Sequence, residues 1–124
     1  MTTEEIAGQY VTLVQAGDRE RCLSTLFDAE ASSTEAVALP GREREVHGVE
    51  ALRAKSRFFF EHNDVHRTEL HGPYLHGERF IVRFVFELTF KPTGQRRTVD
   101  ELGVFTVRDG RIVSESFFPL VTAR

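Results

Sequence analysis

At 124 residues, with 40% hydrophobic and 28% charged side chains, the chain has material for one core and reads as one domain, 1–124. A net charge of −3 gives no electrostatic reason to expect nucleic acid, and no apolar run approaches the ~20 residues that span a bilayer. Cys22 stands alone, so no intrachain disulfide can form; with an acidic start that lacks the apolar run of a secretory signal, this points to a reducing cytoplasm.

Ile6, Tyr10, Leu13 and Val14 recur at helical spacing behind Thr2 or Thr3 as a cap, which predicts a first helix. Gly17-Asp18 reads as its stop and the next N-cap. The second helix carries Cys22, Leu23, Leu26 and Phe27 on one face, so Cys22 reads as a small buried hydrophobe rather than a nucleophile. Ala31 to Ala38 is a short polar segment with no strong period, expected to hold a short strand. Pro40 and Gly41 break the chain. A third helix is predicted from Gly48 to about Phe60, with Val49, Leu52, Ser56 and Phe59 or Phe60 inside.

From Val65 the period changes to two. Phe80, Val82, Phe84, Phe86, Leu88 and Phe90 share one strand face; Ile81, Arg83, Val85, Glu87 and Thr89 share the other. Gly72-Pro73 and His76-Gly77 mark a break and a turn, and Pro92-Thr-Gly94 and Arg108-Asp-Gly110 predict two hairpins. Helices first and strands last give an α+β class: a strongly bent antiparallel sheet across three N-terminal helices, enclosing a pocket.

The order of elements resembles the nuclear transport factor 2-like superfamily, which includes ketosteroid isomerases and SnoaL-type cyclases. Tyr10-Val11, Ala16-Gly17-Asp18, Leu26-Phe27 and Ala31 are similar to its N-terminal half. Ser33-Thr-Glu-Ala36, His47-Gly-Val-Glu-Ala-Leu52, Asn63-Asp-Val-His66, Asp100-Glu-Leu-Gly103 and Glu115-Ser-Phe-Phe118 are similar to SnoaL-like domains without an assigned reaction. The resemblance implies a cone-shaped sheet around a small-molecule pocket, and dimers formed through the outer sheet face. It places Glu35 where the isomerases keep a carboxylate base and Tyr10 where they keep an oxyanion-hole tyrosine. Their second oxyanion-hole acid aligns with Gly103, which argues against a steroid isomerase.

Alternation groups Glu101, Gly103, Phe105 and Val107 on one face of a strand, and Val113, Glu115 and Phe117 on one face of the next. Both faces of the first carry apolar residues, Leu102 and Val104 being the alternative inner pair; the assignment taken here turns the glutamates inward. Three carboxylates around an apolar pocket cannot all stay charged, because burial and like charge each disfavour the ionised form. Such a set can supply an acid and a base side by side.

The expectation is therefore an isomerase, cyclase, dehydratase or hydrolase type of chemistry on a small, mostly apolar molecule. Glu35 would be the base, Glu101 or Glu115 the acid. Tyr10 and His66 would donate hydrogen bonds, and Phe84, Phe86, Phe105 and Phe117 would line the walls. His66 is expected to share a face with Thr68 and Leu70. No metal-ligand spacing is present, so neither metal nor organic cofactor is expected. The rival reading is a non-catalytic binding or dimerisation domain whose acids are paired with Lys55 or Arg97 in a structural network. With the glutamates turned inward, Ile81, Val85, Leu102 and Val104 would form an outer apolar band, and a homodimer through that face is expected.

Overall fold

A computed structural model gives the structure of residues 1–38 and 41–120. Helix α1 (Thr3–Gln15) begins with a capping box: the Thr2 hydroxyl accepts from the Glu5 amide at 3.1 Å, and the Glu5 carboxylate accepts from the Thr2 amide at 2.9 Å. Its buried stripe is Ile6, Ala7 and Tyr10. Gly17, at φ 77, ends the turn after it, and Asp18 caps α2 (Arg19–Leu26) by accepting from the Arg21 amide at 3.1 Å. Cys22, Leu23 and Leu26 are buried on α2.

Strand β1 (Phe27–Glu35) follows α2 directly, so the strand expected within Ala31 to Ala38 starts earlier and is longer than its polar composition suggests. The break expected at Pro40 lies outside the described residues. After β2 (Glu45–His47) comes α3 (Val49–His62), which buries Leu52 and leaves Phe60 exposed. Strands β3 (Asn63–His76), β4 (Arg79–Phe90), β5 (Gln95–Arg108) and β6 (Arg111–Pro119) complete the chain. Asp109 and Gly110 take consecutive positive φ values, 51 and 73, as the two-residue turn between β5 and β6 requires.

The six strands form one open, curved sheet in the order β2-β1-β6-β5-β4-β3. Its pairings are antiparallel except β1 with β6, which is parallel and corrects the expectation of an all-antiparallel sheet. The turn after β5 fixes the direction of β6, and β1, entering from α2, runs the same way. Among the described residues no helix is long and apolar enough to cross a membrane.

On β4, Phe80, Val82, Phe84 and Leu88 are buried, with Phe86 and Phe90 partly so, as their period predicts. Tyr10 lies among Phe27, Phe80, Phe84 and Phe105 at ring-centroid distances of 6.4, 5.8, 6.4 and 4.5 Å. Burying each such ring contributes roughly 1.5–3 kcal/mol. This aromatic cluster ties α1 to the middle of the sheet.

Two of the sheet's register shifts change which of the predicted side chains face in. Between Val65 and Arg67 the β3–β4 register shifts, so Val65 opposes Leu88, Thr68 opposes Phe86, and His66 is the extra residue. His66 is exposed and meets Thr89 on the outer side, which corrects its grouping with Thr68 and Leu70. Between Thr106 and Val107 a second shift pairs Val107 with Ile112 and Thr106 with Ser114. Ile112 is therefore the fully buried residue on the core side, and Val113 becomes the extra one, correcting its grouping with Glu115. On β5, Gly103, Phe105 and Val107 are buried, while Leu102 and Val104 are half-buried.

Candidate functional site

Five polar side chains meet inside the sheet, each delivered by ordinary periodicity. Arg19, the first residue of α2, lies one turn before Cys22 and Leu23 on the buried stripe. On β1, alternation from Ala31 turns Ser33 and Glu35 the same way. On α3, Lys55 follows Leu52 by three positions and so shares its face. Register then brings strands together: Ser33 is opposite Glu115, Glu35 opposite Phe117, Phe105 opposite Glu115, and Phe84 opposite Glu101.

The result is a continuous polar chain. Arg19 Nη2 donates to both oxygens of Glu115, at 3.4 and 3.3 Å. The Ser33 hydroxyl donates to Glu115 Oε2 at 2.7 Å, and Lys55 Nζ donates to Ser33 Oγ at 2.8 Å. Lys55 Nζ also pairs with Glu35 Oε1 at 3.0 Å. Glu115 and Ser33 are buried; the side chains of Lys55 and Glu35 keep 23% and 34% of their exposure. Aromatic faces back both cations, with Arg19 5.3 Å from the Phe27 centroid and Lys55 Nζ 5.4 Å from that of Phe117.

Glu101 stands beside this chain. Burial pushes its carboxyl up to about 7; the Glu35 carboxylate and, less strongly, Glu115 add to the rise, while Lys55 opposes it. Glu101 is therefore poised to hold or release a proton near neutrality. Burial drives the Tyr10 phenol well above its ordinary value, with Arg19 pulling the other way and Glu115 adding to the rise. Burial acts to lower Arg19, but the Glu115 carboxylate, with Tyr10 and Cys22 adding to it, outweighs this in sum and holds the guanidinium charged. Burial also pushes the Cys22 thiol up to about 12, which leaves it a poor nucleophile.

Of the residues predicted for the site, Glu35, Glu101 and Glu115 come together on the inner side of the sheet. Tyr10 borders them through Arg19 and Glu115, sealed at 2% exposure. His66 stands apart on the outer side. Phe84 and Phe105 are closely packed core rings, 3% and 0% exposed, whereas Phe86 and Phe117 are only partly buried. Arg97 is exposed near the β4–β5 turn. A cavity of about 490 Å³ opens between α2, β1 and α3, lined by Leu23, Phe27, Val49 and Arg53 among others. A smaller one of about 210 Å³ adjoins Arg19, Ser56 and Arg57. Neither is lined by Glu35, Glu101 or Glu115; in the polar chain it is Lys55 and Glu35 that keep partial exposure, while Glu115 is buried.

A family model described as a SnoaL-like domain matches residues 1–119. The chain belongs to the SnoaL-like domain family. A protein of Mesorhizobium loti, provisionally named a SnoaL-like polyketide cyclase with carbohydrate phosphatase as a second name, is 39% identical. The match covers 95% of this chain and 99% of that one, at a TM-score of 0.89. An NTF2-like protein of Burkholderia thailandensis shares the fold at 19% identity and a TM-score of 0.82, with 97% and 92% of the two chains covered. A provisionally named polyketide cyclase of Pseudomonas putida shares it at 16% identity and 0.69, covering 95% and 91%. No curated protein matches the chain in sequence.

Arg19 and Ser33 are the members of this SnoaL-like site that sequence reasoning did not single out, and Lys55 entered only as a structural counter-charge. Their signal was positional: each extends an apolar stripe or alternation by one step. Among the described residues of the SnoaL-like domain, no three His, Cys, Asp or Glu side chains are arranged to hold a metal ion. At Gly103, where the resemblance aligns a second acid of the isomerases, core rings take up the space of a side chain. A Cβ there would meet Phe84 Cε2 at 2.8 Å and Phe105 Cε2 at 2.9 Å.

Proposed function

We propose that this SnoaL-like domain, folded as one unit, performs general acid–base chemistry on a small, mostly apolar organic molecule. The observation that carries the reading is Glu101, a carboxyl raised to about 7 beside two further carboxylates and a lysine. Glu35, ion-paired with Lys55, is the base that takes a proton from carbon; the electron pair moves onto the neighbouring oxygen. Glu101 in its protonated form returns a proton to a second atom, so the step is redox-neutral and needs no co-reactant. Glu115, fastened by Arg19 and Ser33, orients the chain rather than exchanging protons. The partly buried rings of Phe86 and Phe117 supply apolar wall.

The test is deuterium wash-out from α-deuterated ketones, beginning with 2-tetralone, followed by NMR. Wild type should accelerate exchange over buffer, and Glu101→Gln and Glu35→Gln should each lose about 10²–10⁴-fold. Wild-type exchange no faster than buffer across the panel sinks the reading.

A second reading, a non-catalytic small-molecule-binding domain, is favoured by the Lys55–Glu35 pair, which partly neutralises the acids. It keeps ligand binding without exchange. In either case the outer face supports a homodimer. Ile81 opposes Val104 and Leu102 opposes Phe118 across adjoining strands, and Phe118 and Tyr74 are 48% and 59% exposed. Sedimentation of wild type and Val104→Glu checks this, and a monomeric wild type at micromolar concentration rejects it.

A further inference from the structure

We infer that Lys55 is the residue that receives the oxygen of a bound carbonyl compound, so that Glu35 and Lys55 hold the two ends of one H–C–C=O unit. The assignment rests on the acid–base reading above and names its ligand class and its oxygen-binding group.

An ammonium group has three N–H donors and no acceptor. Lys55 donates one to Ser33 Oγ, 2.8 Å away, and its charge pairs with Glu35 Oε1, 3.0 Å away. Among the described residues it donates to no other protein group, and Nζ sits 5.4 Å from the Phe117 centroid. The side chain is 23% exposed, so a ligand can reach it, yet it is braced at two points and its direction is fixed. Preorganised donors of this kind stabilise charge that develops during reaction without having to reorient.

The other candidate donors are badly placed for the task. Tyr10 is sealed within four phenylalanine rings. His66 lies on the outer side of the sheet with Thr89, and Arg19 is engaged with Glu115. Lys55 alone combines a spare donor, an opening to solvent and a carboxylate base as its neighbour.

The charge balance selects the ligand class. Glu35 and Glu115 offset Lys55 and Arg19, and any ionised Glu101 leaves the group net negative. A carboxylate or phosphate entering here adds like charge to like. A neutral carbonyl takes the spare N–H without adding charge, and becomes negative only when its α-proton leaves.

The experiment uses 2-tetralone bound to the full chain and reads the infrared stretch of its carbonyl. Wild type should bind it and lower the stretch frequency below that of the ketone in an apolar solvent. Lys55→Met should lose that lowering and slow deuterium exchange about 100-fold at its best pH. Lys55→Arg, which keeps charge and donors, should retain the lowering. If Lys55 only tuned Glu101, Lys55→Met would move the pH profile upward and leave its plateau rate and the carbonyl stretch unchanged. That result, or a wild type that does not bind 2-tetralone, overturns the assignment. A Lys55-dependent stretch without wild-type exchange keeps the assignment and rejects the catalytic reading; exchange with a Lys55-independent stretch does the reverse.

Discussion

The Ser33 hydroxyl donates to the Glu115 carboxylate across 2.7 Å, joining directly opposed residues of the parallel strands β1 and β6. Both are buried, and the same Ser33 oxygen accepts from Lys55. Ser33→Ala should thus remove one donor from a buried carboxylate and one acceptor from an ammonium. The expected loss is about 1–3 kcal/mol, read as a lower urea midpoint with an unchanged slope.

Glu115→Ala should cost more, about 3–5 kcal/mol, because it leaves Arg19 charged in an enclosed position with its partner gone. Arg19→Met with Glu115→Met removes both charges and restores apolar volume. The double variant should be less destabilised than the sum of the two single changes, and a double-mutant cycle in urea reads that coupling. Additivity would show that the pair is not energetically linked.

Glu101 makes stability pH-dependent in a definite direction. Its folded pKa, about 7, is above the unfolded value of about 4.3, so between them the native state holds a proton that the unfolded chain has released. Its stabilising proton is fully present below the unfolded value and lost as pH rises through the folded one. Glu101→Gln should match wild type near pH 4 and be more stable at pH 8, by on the order of 3 kcal/mol. Parallel melting curves from pH 4 to 9 would contradict a raised carboxyl.

Gly103→Ala tests the packing of the aromatic rings over that position. The added methyl meets Phe84 and Phe105 ring atoms closer than carbon atoms normally approach, so a loss of about 1–3 kcal/mol is expected. Adding Phe84→Leu should recover part of it by withdrawing one ring. Equal melting temperatures for Gly103→Ala and wild type would show that the rings move aside freely.

Much of the fold was legible because it follows from local rules. Thr2 caps α1, Asp18 caps α2, and the phenylalanines of β4 all fall on the inner face as their spacing requires. The bulges were not legible, since a bulge belongs to a pair of strands; nothing in β3 alone marks His66 as the extra residue, nor in β6 alone Val113. Glu35, Glu101 and Glu115 could be found from alternation and resemblance. Arg19 was missed because an inner face read from apolar residues stops at Cys22, although the same stripe continues one turn upstream. Its partner lies ninety-six positions away in the chain, so residue type alone gave no reason to place a guanidinium inside.

The parallel pairing of β1 with β6 has a consequence for the order of assembly. As the chain leaves the ribosome, β1 can pair with β2 and pack under α3, but its other edge stays open until β6, after every other described strand, has been made. Ser33 and Glu115 meet at that late closure, so the polar chain and the sheet are completed together. Closing so long a loop is entropically slow, and an open edge invites pairing with other chains. Nascent chains stalled before Arg111 should therefore depend on a chaperone covering the edge of β1.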